Sequence, residues 1–277
     1  MDKIIGLLVF ILYTNTFVWS QHLLVQYNYV KKESKVSSAR FSQNSYLQID
    51  GTSSIFFSEV PFLADSIMNA NEKAGQKIDF KNLPQDALLF FIKKDLKTNV
   101  VSYYSNEFDE TEYVYDETLK PLWKLGNEQK YILGYPCTSA NINYGGRNYT
   151  AFFTEKIPIS EGPYKFFGLP GLIMEIYDED DDHHFIITGV SKEKVMPVER
   201  MMKKTYAKTS KEKFFEMRKN HIEAPLLRFY ELMNSTGITE RKDKEGNTID
   251  MRKLARETEQ RIKEEYKNEN LIEIIEL

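Results

Sequence analysis

The side chains best suited to chemistry crowd into one run, Asp178-Glu179-Asp180-Asp181-Asp182-His183-His184. Carboxylate oxygens are hard ligands that suit calcium, and a neutral imidazole adds a ligand for a transition metal. Asp180, Asp182, His183 and His184 are therefore the candidate metal ligands. Their spacing opposes a preformed loop. An EF-hand alternates its acids, carries a glycine at its turn and ends on a distant glutamate. Consecutive acids between two apolar segments, residues 172–177 and 185–190, read better as the solvated tip of a hairpin. Cys137, the sole cysteine, is a second candidate. As a nucleophile it needs a base, here His183 or His184, to become a thiolate. No signature of a cysteine enzyme surrounds it, and a lone cysteine is ordinarily a small buried hydrophobe. No G-x-S-x-G elbow singles out a serine. With 41 acidic residues, a carboxylate pair for glycoside cleavage cannot be chosen without geometry. The sequence thus assigns no catalytic residue.

Composition narrows the classes further. A net charge of −4 with both signs mixed gives no reason to expect nucleic acid as a partner. One cysteine excludes an intramolecular disulfide, and with four histidines it excludes a closed cysteine-rich zinc site. Residues 192–213 carry eight Lys or Arg against three Glu. They suit an anionic surface, although a solvated linker and helix face explains them more simply. No cofactor is expected. The 17 tyrosines and 18 phenylalanines favour strands, where flat rings pack across neighbours, or the lining of a pocket for a peptide or lipid.

The elements that must position these groups are mostly strands. Val25, Tyr27 and Tyr29 alternate with polar residues, the period of a half-buried strand. Residues 41–49 form another, and Pro61 opens a helix to about residue 72. The apolar run 88–92 and residues 100–104 read as a hairpin. Short strands follow at 112–116, 123–125, 131–133 and 138–144. Gly145-Gly146 then marks a tight turn, answered by Tyr149, Ala151 and Phe153 on one face. Beyond residue 195 the pattern turns helical. Ser210 caps residues 211–220, Pro225 opens a second helix, and Asp250 caps a third with a stripe of Met251, Leu254, Ala255, Ile262 and Tyr266. Residues 271–277 look extended and suit a terminal strand.

The most unusual segment is Gly168-Leu169-Pro170-Gly171-Leu172-Ile173, where two glycines bracket a proline before an apolar strand. It lacks a phosphate-loop pattern, and no helix signal follows it. The chain resembles the GLPGLI family of exported proteins, common in Bacteroidetes and often encoded beside outer-membrane transport genes. The resemblance extends to Trp123, to Gly134-Tyr135-Pro136-Cys137, to the run from Gly146 to Thr154, and to Ile157-Pro158 and Gly162-Pro163, in that order. It covers residues 25 to about 190 and leaves out the helical part. It implies an address and no reaction, cofactor or catalytic residue.

The N-terminus fits that address. Lys3 precedes an apolar stretch through Phe17, and small residues close it near Ser20. The stretch has the length of a secretory signal and falls short of a membrane span. No segment of the mature chain is apolar enough to cross a bilayer. Residues 1–20 are expected to be a cleaved signal peptide, 21–195 a β-rich body and 196–277 a helical extension packed on it. The expected fold is α+β: a predominantly antiparallel, curved or half-barrel-like sheet with C-terminal helices. The expected function is that of an exported, non-enzymatic binding or accessory protein, periplasmic, outer-membrane associated or secreted. Its partner would be an outer-membrane transport component, a peptide or a lipid. A hydrolase built on Cys137 or an acid–histidine pair is the alternative.

Overall fold

The computed structural model describes residues 22–105 and 111–274. The expected signal peptide and the last three residues of the expected terminal strand lie outside them. Eleven strands run through the body: β1 (Leu23–Lys32), β2 (Arg40–Asp50), β3 (Ser53–Ser58), β4 (Phe90–Asp95), β5 (Val100–Ser105), β6 (Tyr113–Thr118), β7 (Lys124–Ile132), β8 (Tyr135–Tyr144), β9 (Arg147–Thr154), β10 (Leu172–Asp178) and β11 (His183–Ser191). Helix α1 (Val60–Lys73) follows β3. After β11 come α2 (Glu199–Met202), β12 (Ala207–Lys208), α3 (Lys211–Glu223), α4 (Leu227–Thr236), the hairpin β13 (Glu240–Lys242) and β14 (Thr248–Asp250), and α5 (Met251–Lys267).

Twelve strands form one open sheet in the order β12-β6-β5-β4-β3-β2-β1-β11-β10-β9-β8-β7. It is antiparallel throughout, apart from the two-residue pairing of β12 with β6. Two chain-order meanders therefore meet at the central pair β1–β11, in register Tyr29↔Phe185. The expected predominantly antiparallel α+β fold is what the chain adopts.

The sheet is strongly curled. Strands β6 and β8 stand nine positions apart in the sheet order. On a flat sheet that would be roughly 40 Å. Yet Tyr144 at the end of β8 and Lys165, itself paired with Glu117 of β6, both contact the carboxylate of Glu273. The inner face of this half-barrel holds the main core, including Tyr27, Tyr29, Leu47, Phe56, Ile92, Tyr115, Tyr149, Ile176 and Phe185. The expected stripes Val25/Tyr27/Tyr29 and Tyr149/Ala151/Phe153 are buried.

Local chemistry explains the punctuation. Gly145 and Gly146 both have positive φ, +56° and +77°, the requirement of a two-residue I′ hairpin. Ser210 and Asp250 accept backbone N–H bonds at the starts of α3 and α5, and Pro61 sits in the first turn of α1. The run 88–92 is apolar without alternation because, Leu89 apart, its residues are covered on both sides. Ile92 points into the main core, while Phe91 joins Phe57 and Val198 in a second cluster against Phe62 of α1.

Two expectations need correction. Residues 123–125 and 131–133 are not separate strands; β7 is continuous, with a bulge between Leu125 and Gln129. Residues 271–274 add no strand to the sheet; they run across its inner side, with the Ile274 N–H bonded to the Gly145 carbonyl at 2.6 Å. Among the described residues, no helix is long and apolar enough to cross a membrane.

Candidate functional site

Three pieces fill the half-barrel: the loop 155–171, helix α3 and the C-terminal segment after α5. The loop carries the Gly168–Ile173 motif. Leu169, Leu172 and Ile173 are buried, while Gly168 and Pro170 reach the surface. Gly171 lies so close to β9 that a Cβ would meet the Thr154 carbonyl oxygen at 2.1 Å. Gly168 has φ +96° and faces Pro121 and Trp123. The Trp123 indole N–H donates to the Phe167 carbonyl at 2.8 Å, and the Tyr27 hydroxyl donates to Ile173 O at 2.7 Å. The motif residues thus seat the loop in the core.

A fully buried ion pair locks the same loop to β4. Lys94 Nζ lies 2.5 Å from Glu161 Oε2 and donates to Gly162 O at 2.8 Å. Burial pushes the Glu161 carboxyl up and the Lys94 ammonium down from their ordinary pKa values, each opposed by the other's charge.

The next loop charge, Lys165, forms the centre of a second cluster. Its side chain is wholly buried between Glu117 Oε1 at 2.5 Å and Glu273 Oε1 at 2.6 Å. It also donates to the Tyr115 hydroxyl at 3.1 Å and lies over the rings of Tyr103, Tyr115 and Tyr164. Lys211, at the start of α3, contacts Glu117 at 2.6 Å and Glu273 at 3.3 Å. The hydroxyls of Tyr164 and Tyr144 donate to Glu273 at 2.5 and 3.2 Å. Burial alone would raise the Glu273 pKa; the two lysines and the tyrosine bond outweigh it and hold it at about 2.

Beside this cluster the C-terminal segment is held both by its main chain and by the side chains of Glu269, which pairs with Arg218 at 2.5 Å, and buried Asn270. Tyr149 donates its hydroxyl to Ile272 O at 2.8 Å, and Arg147 Nε donates to Leu271 O at 2.9 Å. Arg147 also bonds Asn270 at 2.6 Å and Asp178 at 2.6 Å, and reaches Asp182 at 3.4 Å. A cavity of about 220 Å³ remains beneath the segment, between Tyr29, Phe90, Tyr103, Tyr115 and the residues from Glu269 to Glu273.

The acidic run is the β10–β11 turn. The carboxylates of Asp178, Asp180 and Asp182 lie within 4.8 Å of one another. Asp178 and Asp182 already face Arg147, Asp182 also faces Lys32 at 3.3 Å, and Asp181 pairs with Arg40 at 3.0 Å. A cation there would compete with the guanidinium. The two histidines point to opposite faces of β11 and do not join that group. His183 is buried on the inner side, its Nδ1 bonded to the Tyr29 hydroxyl at 2.8 Å. Burial, with Arg147 and Lys31 nearby, pushes its pKa down to about 3, so it is neutral. His184 is partly exposed, with Nε2 at 2.9 Å from Glu175 and Nδ1 at 3.1 Å from Asp181. Lys130 completes that outer cluster over the Phe152 ring.

Cys137 is buried, and its thiol donates to Tyr135 O at 3.3 Å. Burial raises its pKa, which suppresses the thiolate. Sequence reasoning missed Lys165, Glu117, Lys211 and Glu273, which are far apart along the chain. One signal was present: a lysine inside Tyr164-Lys165-Phe166-Phe167 needs a buried counter-charge.

A family model described as a protein of unknown function (Porph_ging) matches residues 146–175, from the Gly145-Gly146 turn through Arg147, Lys165 and the motif loop. No curated protein matches. Among solved structures, the chain is similar to PNGF-II in two crystal forms, P21 and C2, with 14% and 15% identity over 71% of this chain. The TM-score is 0.51 in both, which is a likeness of fold. The matched region covers 33% and 32% of those chains, so this protein corresponds to about a third of their length.

Proposed function

We propose that the chain is an exported, non-enzymatic binding or accessory protein of the GLPGLI family, acting in the periplasm or at the outer membrane, and that it holds a peptide segment across the inner face of its half-barrel. One observation carries this reading. The segment after α5 crosses that face and bends at Ile272 and Glu273, held through the carbonyls of Leu271 and Ile272 and the N–H of Ile274. Main-chain capture by fixed side chains, with an aromatic cavity left beneath, is the physics of a peptide-binding groove. The apolar N-terminal stretch and the family resemblance support the address.

The test is recovery of the epitope-tagged native protein from cell fractions. Mass spectrometry would read its N-terminus and any peptide cross-linked to the inner face. Periplasmic or outer-membrane protein beginning at Gln21 with a cross-linked peptide supports the proposal. Cytosolic protein retaining residues 1–20 refutes it. The Glu175–His184 contact favours a second reading, an exported hydrolase using that acid–histidine pair on the outer face. It requires hydrolysis that disappears in His184→Ala and persists in Cys137→Ala.

A further inference from the structure

We propose that Lys165, Lys211, Tyr144 and Tyr164 form a recognition site for one side-chain carboxylate of a peptide, and that Glu273 of the chain's own segment after α5 occupies it in cis. The ligand in trans is then a peptide with a glutamate flanked by large apolar residues. It binds by displacing residues 268–274. The inference rests on the inner face being a peptide site.

Charge balance is the first argument. With Glu273 seated, two lysines face two carboxylates, Glu117 and Glu273. When Glu273 leaves, wholly buried Lys165 and partly exposed Lys211 share the one carboxylate of Glu117, and two tyrosine hydroxyls lose their acceptor. The empty site is therefore a cationic pocket with two neutral donors aimed into it. An incoming carboxylate restores neutrality where an unpaired buried charge is costly.

The surroundings are shaped for a passing main chain. A Cβ at Gly145 would lie 2.9 Å from the Glu273 Cα, and one at Gly146 would lie 3.1 Å from the Ile274 Cβ. The hairpin turn thus leaves room that only glycine permits. Arg147, which reads the Leu271 carbonyl, is also fixed by Asp178, and the Tyr149 hydroxyl that reads Ile272 comes from the same strand. Those contacts depend on backbone, so a foreign peptide can make them. Below them lies the 220 Å³ cavity, with Ile272 on its wall. A bulkier apolar residue preceding the glutamate gains area that the native segment leaves unused.

The tether is polar and near the surface: α5 meets α3 and α4 through Tyr266 beside Arg218 and His221 and through Glu259 bonded to Tyr230. Helix α5 buries only Ala255, and Leu254 of its apolar stripe is 44% exposed. Residues 268–274 therefore depend on their own contacts for their place, and their release need not unfold the sheet.

The test uses the full chain and a fluorescein-labelled, C-terminally amidated heptapeptide with the sequence of residues 268–274. Glu273→Gln should bind this peptide about tenfold more tightly than the unsubstituted chain, because its internal competitor has lost a charge-assisted contact. A peptide with glutamine in place of its second glutamate should lose that gain, and one with phenylalanine in place of isoleucine before it should bind more tightly still. In the unsubstituted chain, excess peptide should speed hydrogen exchange at residues 269–274 and leave the β-sheet amides protected; this readout does not depend on any variant folding. Equal binding of the glutamate and glutamine peptides would overturn carboxylate recognition while leaving the peptide groove standing. Failure of both peptides to bind a Glu273→Gln chain whose segment exchanges freely would overturn the groove as well. A segment that stays protected in every case is a fixed part of the core, and the cis-occupancy is then wrong.

Discussion

The neutral, buried state of His183 makes stability depend on pH in a way that can be isolated. Its ring is held at a pKa of about 3 against the ordinary 6.5 by burial and by Arg147 and Lys31. In the unfolded chain the imidazole takes up a proton near pH 6.5, whereas the folded chain resists protonation until about pH 3. The unfolded state thus binds more protons throughout that window. Stability from this group is fully present above the unfolded value and is lost as pH falls through the window. Going from pH 7 to pH 5 should cost about 2 kcal/mol through His183 alone. The assay is urea unfolding at both pH values for the unsubstituted chain and for His183→Asn. Asparagine keeps an acceptor near the Tyr29 hydroxyl but does not titrate. Other carboxylates and histidines are common to both chains, so the difference between the two pH losses reads His183. The unsubstituted chain should lose about 2 kcal/mol more than the variant. Parallel losses would show that the ring charges in the folded state and that its environment is wetter than the packing around Tyr29 and Phe185 indicates.

Three other outcomes follow from the packing. Gly171→Ala should destabilise by about 3 kcal/mol or more in urea unfolding, since its Cβ would collide with the Thr154 backbone and not with a flexible side chain. Lys94→Met should cost about 3–5 kcal/mol by stranding the Glu161 carboxylate, and Lys94→Met with Glu161→Leu should recover most of it; a double variant as unstable as the single one would contradict this. Cys137 should resist iodoacetamide at pH 8 in the folded chain and react fully in urea, read by mass; fast native labelling would mean an exposed or activated thiol.

Much of the fold was legible because its signals are local. The alternation at Tyr27 and Tyr29, the Gly145-Gly146 turn and the Ser210 and Asp250 caps act over a few residues, and each stands where the pattern placed it. Strand β7 was read as two pieces because Gly126, Asn127 and Glu128 interrupt its pattern, and those residues are the bulge. The C-terminal segment is apolar enough to read as extended, but residues 271–274 run across the sheet instead of beside it, where Glu273 meets two lysines. That cluster was illegible for a geometric reason. Glu117, Lys165, Lys211 and Glu273 are joined only by the curling that brings β6 towards β8, and spacing along the chain carries no trace of it. The acidic run was legible as a turn, but its binding to Arg147 was not.

The strand order also dictates how the protein must assemble. Every neighbouring pair within β1–β6 and within β7–β11 joins strands consecutive in the chain, the longest connection being the α1 crossover between β3 and β4, so each half can form from contacts closer in sequence than those of the seam. The seam between them is different. It joins the first strand to the eleventh, pairing Leu24 with Ser191 and Lys31 with His183, and its rings stack at Tyr29 and Phe185 with centroids 4.3 Å apart. Closing that seam brings together residues about 160 positions apart, the slowest kind of contact for a chain to find. During synthesis β1 waits with one edge unpaired until β11 arrives, and in that interval the aromatic face of the N-terminal half is open to other chains. The folding barrier, and the window for misassembly, therefore lie at the middle of the finished sheet and not at its ends.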